Sequence, residues 1–427
     1  MVCLRLRHQL RVKARSMGRK FFDLRTHPLN TTLPLNSSAH EFASHCCASS
    51  GNWCETKPLQ AKASSVDLCY PVQWVETRSA ESERDEMRAM KERLLREGER
   101  GFVVRNAGYF PVLIKLSDGS LAAVVRSGAP HIGVGGRLDF VRSVDGGRTW
   151  SSPQTIVYMP PDTRNPALGQ APNGKLILAF AVTGPYPKGK WQPPISSRYT
   201  VWLTFSEDDG QSWLPPRPLK VSPLAYGSPY GKIVSLPDGT LLLPVYQWDE
   251  GRRYGSYILR SRDGGWDWDE PTLITEGHNE AALTVLPDGT LLAVVRRNDN
   301  CLSECYSEDG GRTWTPPQKL TEAPFHPADV IVLSSGRVLL TFGRRTEPYG
   351  AEAVLGEFES GRVKWLWETR TLIEWRAANP DCGYPSSAQL DDGTIVTLIY
   401  GVGLKDDTVE GAFCVWVRYC EDALLRS

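Results

Sequence analysis

No apolar run in the 427-residue chain approaches the roughly 20 residues that a membrane-spanning helix needs. The start, MVCLRLRHQLRVKARSMGRKFF, is basic and free of acids, yet it lacks the continuous stretch of about 7–15 apolar residues of a secretory signal. Export therefore has no support, and a cytoplasmic location is the default expectation. Net charge is missing as well: 49 Lys plus Arg balance 49 Asp plus Glu, so no overall field favours nucleic acid or an anionic membrane. Zinc templates are absent, because the C-x3-C of Cys301 and Cys305 has no second cysteine or histidine pair at a suitable distance. No H-x-H or H-x3-H pair suggests another metal, and no cofactor is expected. Of the ten cysteines, five lie in the first 69 residues. The later five (Cys301, Cys305, Cys382, Cys414 and Cys420) read as reduced and mostly buried in a core.

What is present divides near residues 80–105. Residues 1–80 are polar and turn-rich, with neither a period of 2 nor of 3.6, and read as an irregular leader. Residues 81–100 pair acidic and basic side chains three or four apart and read as a charged, solvated helix. From there to residue 427 an apolar strand, a tight turn and a second apolar strand recur: 111–126, 166–181, 230–246, 280–296, 328–344 and 386–400. Each hairpin carries Asp-Gly, Asn-Gly or Ser-Gly where the turn needs a positive φ. Four of the six are followed by another strand that ends in a close copy of one octapeptide: SVDGGRTW (143–150), SEDDGQSW (206–213), SRDGGWDW (261–268) and SEDGGRTW (307–314). A unit of four strands used six times predicts an all-β, six-bladed propeller of antiparallel blades with an irregular N-terminal extension.

The octapeptide has a structural explanation. Its serine and aspartate cap loop amides, its glycine takes a φ closed to other residues, and its tryptophan enters the layer between sheets. Asp145, Asp208, Asp263 and Asp309 thus read as parts of a fold staple, not as metal or catalytic carboxylates. If strands run outward from the axis, function belongs on the opposite face, just before each first strand and after each second. Those windows hold Arg105, Tyr109, Arg126 and His131, then Asp162, Arg164 and Asn165, then Tyr246 and Asp249. Further on come Asn279, Glu280, Arg296, Arg297, His326, Arg344, Arg345, Asp381, Tyr384 and Tyr400. Arginine, carboxylate, histidine and tyrosine together suit an anionic sugar, so a glycan or glycoconjugate is the expected partner.

Four such octapeptides, known as Asp-boxes, in a six-hairpin chain resemble the sialidase (neuraminidase) superfamily of six-bladed propellers over about residues 105–420. The resemblance implies an exo-glycoside hydrolase acting on a terminal sialic acid or a related acidic sugar. HNEAALTVLPDGTLLAVVR is similar to that family's asparagine-glutamate strand opening, which implies Glu280 as the catalytic carboxylate and Arg296 as a substrate-binding arginine. GYPSSAQLDDGTIVTLIY resembles the segment that carries the tyrosine nucleophile, which implies Tyr384. GRRTEPYG offers Arg344 or Arg345 as a further arginine. Two parts of the pattern are missing. Tyr109 stands where a blade-one arginine belongs, with Arg105 and Arg164 as replacements, and the aspartate acid is absent, with His131, Asp162 and Asp249 as candidates. Two other readings stay open: a non-catalytic glycan-binding propeller, and a glycosidase or lyase for a uronic or deoxy sugar.

Overall fold

The computed structural model describes residues 93–427 apart from 193–194, 223, 225, 249–253, 270, 406–408, 410 and 427. The leader expected over 1–80 and most of the helix expected over 81–100 lie outside the described residues. The described end of that helix is corrected to extended chain. Leu95 N–H donates to Leu372 O at 2.9 Å, Leu372 N–H donates to Arg93 O at 2.8 Å, and a strand begins at Glu99. Leu95 is buried, so pairing and packing against another blade override the helical charge pattern.

Six sheets, antiparallel apart from one short pairing, follow in chain order. Blade one consists of Tyr109–Lys115, Leu121–Ser127, Arg137–Ser143 and Gln154–Val157, and the expected hairpins open all the others. The strands read as continuous apolar runs because both faces of each sheet are covered. In Leu121–Ser127, for example, Leu121, Ala123 and Val125 pack with Val396 and Leu398 of blade six, whereas Ala122 and Val124 pack with Leu168 and Leu178 of blade two. Blade six has no Asp-box; its outermost strand is the N-terminal Glu99–Arg105, paired antiparallel with Ala412–Tyr419. That strand closes the ring by hydrogen bonds. The inner strand of blade three is broken: Ser228–Pro229 and Val234–Ser235 pair within the blade, while Gly231–Lys232 pairs in parallel with Asp162–Gln170 of blade two. Cys301, Cys305, Cys382 and Cys414 are free and buried, and Cys420 is free and exposed.

The Asp-boxes act as staples. In blade one Ser143 Oγ donates to Asp145 Oδ1 at 2.8 Å and accepts from the Gly147 amide at 2.8 Å. Asp145 accepts from the Arg148 and Thr149 amides and from the Thr149 hydroxyl, and Trp150 Nε1 donates to Gly147 O. The glycine is needed for space as well as for φ: a Cβ on Gly210 would stand 2.3 Å from the Phe140 ring of the neighbouring blade. Asp145→Ala removes these bonds at a cost of about 1–2 kcal/mol near neutral pH. Slight desolvation raises the Asp145 carboxyl, but its bonds from Thr149, Ser143 and Arg148 outweigh that and hold it at about 2, below its ordinary 3.8. A depressed carboxyl stabilises the fold above its ordinary range and ceases to do so as pH falls through the folded value. The melting-temperature gap between wild type and Asp145→Ala is therefore expected to shrink between about pH 5 and pH 2. A gap independent of pH in thermal melts would contradict the staple.

Candidate active site

Five of the six blades begin with a slip in register between their first two strands: at Tyr109/Val112, Arg164/Ala167, Asn279/Ala282, Phe325/Ala328 and Gly383/Ser386. Each slip is a β-bulge, which leaves residues unpaired and re-aims their side chains. Four bulge residues carry a positive φ that is uncommon outside glycine: Phe110 (54°), Asn165 (51°), Glu280 (31°) and Tyr384 (48°). Such backbone costs on the order of 1–3 kcal/mol per residue and persists where packing dictates it. The same device in four blades brings these four side chains to the axial end of the ring on the predicted face.

Tyr384 Oη donates to Glu280 Oε1 across the axis, from blade six to blade four. The other carboxylate oxygen, Glu280 Oε2, accepts from Arg296 Nη1 at 2.7 Å, and Arg296 Nε and Nη2 donate to Asn300 Oδ1 at 3.1 and 2.7 Å. One continuous chain thus runs Tyr384, Glu280, Arg296, Asn300. Burial first, and the Glu280 carboxylate second, push the Tyr384 phenol well above its ordinary value, against Arg296 and Arg345. The two arginines favour the phenolate, but burial and the adjacent carboxylate outweigh them.

Around this chain opens a cleft with Arg164, Arg296 and Arg297 as its cations and Glu280 as its single carboxylate among the described residues. An anionic ligand suits that balance. Asn279 also lines the cleft, and its Oδ1 is buried without a protein partner among the described residues. Arg345 stands beside Tyr384, its guanidinium carbon 6.0 Å from the phenol ring centre, tethered by Nη1 to Pro380 O at 3.0 Å. Arg344 points the other way, with Nη1 on Glu352 Oε1 at 2.7 Å. The sequence left the choice between the two open; the structure puts Arg345 beside Tyr384 and commits Arg344 to Glu352.

Two further expectations are corrected. Arg105 lies exposed on the outermost strand of blade six, over the Phe102 ring, because Glu99–Arg105 closes the ring instead of leading into blade one. Asp162 is fully buried and cannot serve as an acid. Its Oδ1 accepts from Arg126 Nη2 at 2.6 Å and Nε at 3.2 Å, and its Oδ2 from the Tyr186 hydroxyl at 2.5 Å. Tyr109, where the family pattern has arginine, is buried against Tyr400, while Phe110 packs on Tyr384 with ring centres 4.8 Å apart. An aromatic wall thus occupies the blade-one side. Asp249 lies outside the described residues. Arg164 does line the cleft, donating from Nη1 to Tyr186 Oη at 2.9 Å and to His131 O at 3.2 Å. His131 lines it too, its Nδ1 2.6 Å from Asp381 Oδ1.

Trp191, Tyr199, Tyr254 and Asn300 also line the cleft, without a motif to announce them. Trp191 and Tyr199 come from the long connection after the second strand of blade two, and Asn300 from the tight turn after Leu291–Arg297, positions that only the topology marks.

Comparison with known proteins gives the chain relatives. A model of the BNR repeat-like domain matches residues 146–397. The anhydrosialidase of Macrobdella decora is 27% identical over 226 residues, which cover 45% of this chain and 28% of that protein. The sialidase of Bacteroides fragilis is 24% identical over 346 residues, covering 70% of this chain and 62% of the relative. The match thus spans less than two thirds of the length of either relative. Among solved structures, a protein of unknown function from Dyadobacter fermentans shares the fold with a TM-score of 0.64 at 22% identity, covering 75% of this chain and 97% of that one.

Proposed function

Since the chain belongs to the BNR repeat-like domain family, and sialidases are among its relatives, we propose that the cleft is a retaining, sialidase-type exo-glycosidase site for a terminal sialic acid or a related acidic sugar. The observation that carries this reading is the unbroken chain from Tyr384 through Glu280 to Arg296. A sialic acid carries a carboxylate on its anomeric carbon, which repels a carboxylate nucleophile; a neutral phenol has no such penalty. The Tyr384 oxygen attacks the anomeric carbon as its proton passes to Glu280, giving a covalent glycosyl-tyrosine that water later hydrolyses. Arg296 fixes the Glu280 carboxylate and, with Arg345, supplies the planar forks that grip a substrate carboxylate.

The aromatic wall at Tyr109 and Phe110 favours a second reading, in which another acidic sugar with an apolar ring face is the substrate. Release of 4-methylumbelliferone from a panel of aryl glycosides, beginning with the N-acetylneuraminic acid conjugate, separates the two. Turnover of the sialoside is expected. Turnover of uronides alone would move the assignment to the second reading, and binding of glycans without any turnover would reduce the cleft to a lectin site. Arg345→Ala is expected to raise KM by about tenfold or more through loss of a charge-assisted contact; an unchanged KM in steady-state kinetics would remove Arg345 from the clamp.

A further inference from the structure

We propose that His131, held by Asp381, is the proton donor to the leaving oxygen; this assignment rests on the sialidase-type reading above. The cleft needs such a group, because departure of an alkoxide from an ordinary glycoside is slow without protonation. Elimination leaves few candidates. Glu280 is committed to Tyr384 and Arg296, and Asp162 is fully enclosed between Arg126 and Tyr186. Asp299 accepts from Arg297 and from the Cys301 amide, which hold it as a carboxylate. Of the described residues that line the cleft, His131 is the one whose ordinary titration lies near neutrality.

The geometry suits an acid. His131 comes from the connection after the second strand of blade one, and Asp381 from the entry to blade six. Asp381 Oδ1 lies 2.6 Å from His131 Nδ1 and accepts from the Tyr400 hydroxyl at 2.7 Å. Two donors on one oxygen keep Asp381 ionised, and its bond fixes the imidazole tautomer with hydrogen on Nδ1. Nε2 is left as the titrating atom; it has no protein partner among the described residues, and the side chain keeps 28% of its surface exposed. The His131 ring lies 5.0 Å from the Phe110 ring, which itself lies 4.8 Å from Tyr384, so nucleophile and acid flank the same aromatic wall.

The proton and electron flow balances. As the Tyr384 oxygen bonds to the anomeric carbon, the electrons of the glycosidic bond pass to the leaving oxygen, which takes the Nε2 proton of imidazolium. The phenolic proton goes to Glu280. In the second half the neutral Nε2 takes a proton from water, whose oxygen attacks the anomeric carbon as the bond from that carbon to the Tyr384 oxygen breaks; the bond's electrons return to the phenol oxygen, which takes back its proton from Glu280. Asp381, Arg164 and Arg345 are the charged groups around His131, with Tyr109 and Phe110 packed on its ring. Burial, aided by the two arginines, lowers the imidazole below its ordinary value against the pull of Asp381. The acid form is thus lost at lower pH than for an ordinary imidazole, and activity that needs it falls as pH rises.

The test compares kcat/KM of the full chain on 4-methylumbelliferyl N-acetylneuraminic acid, whose leaving group needs little protonation, with sialyllactose, whose leaving group needs it. His131→Ala is expected to lose about 10²–10⁴ on sialyllactose and less than about tenfold on the aryl sialoside. Asp381→Asn is expected to move the alkaline limb of the sialyllactose profile to lower pH, a change that a merely structural role would not produce. Equal losses on both substrates, or none on either, would overturn the assignment. Should His131→Ala fail to melt as a folded protein, His131→Gln and the Asp381→Asn profile decide by the same criteria. A wild type inert on both sialosides overturns the parent reading and the dyad with it, an outcome recognisable because no variant is needed to see it.

Discussion

Tyr384→Phe is expected to lower kcat on the aryl sialoside by about 10⁴ or more, the scale on which removal of a nucleophile acts. The variant deletes one oxygen and one hydrogen bond. Glu280 keeps its bond from Arg296 Nη1, so the carboxylate is not stranded, and the ring keeps its contacts with Phe110, Tyr230 and Tyr400. Affinity for free sialic acid should therefore change by no more than a few fold in calorimetry. Loss of binding in step with loss of turnover would make Tyr384 a binding residue; retention of activity within tenfold would exclude it as nucleophile.

The second large effect falls on stability. Arg126 is fully buried, and besides Asp162 it is held by the carbonyls of Ala129, Pro130 and Gly133. Asp162→Ala leaves that guanidinium in the interior without its counter-charge, at an expected cost of about 3–5 kcal/mol. No slack exists on the other side, since a Cβ on Gly136 would stand 1.9 Å from Asp162 Oδ1. Urea unfolding should show the midpoint fall.

The hairpins and Asp-boxes were legible because their signals are local: a period of two, a turn that needs glycine, a capping serine and aspartate. Glu280, Arg296 and Tyr384 were singled out by resemblance to sialidase motifs that open or close those hairpins. Arg105 and Asp162 were misplaced for lack of such a motif. Nothing in FVVR announces that its strand will close blade six, and nothing around Asp162 announces a buried arginine 36 residues earlier. The bulges that turn Phe110, Asn165, Glu280 and Tyr384 toward the axis arise from register between strands, which no single strand encodes. His131 and Asp381 stand 250 residues apart, and only closure of the ring makes them neighbours.

The chemistry attributed to the cleft stands or falls on a bond between sugar and phenol. A sialosyl fluoride carrying a second fluorine beside the anomeric centre forms the glycosyl-enzyme readily and hydrolyses slowly, so incubation with the full chain followed by proteolysis and mass spectrometry locates the adduct. The account predicts a single modified peptide with the sugar on Tyr384, and none in Tyr384→Phe. Turnover of the aryl sialoside with no adduct, or with an adduct on another residue, would contradict it.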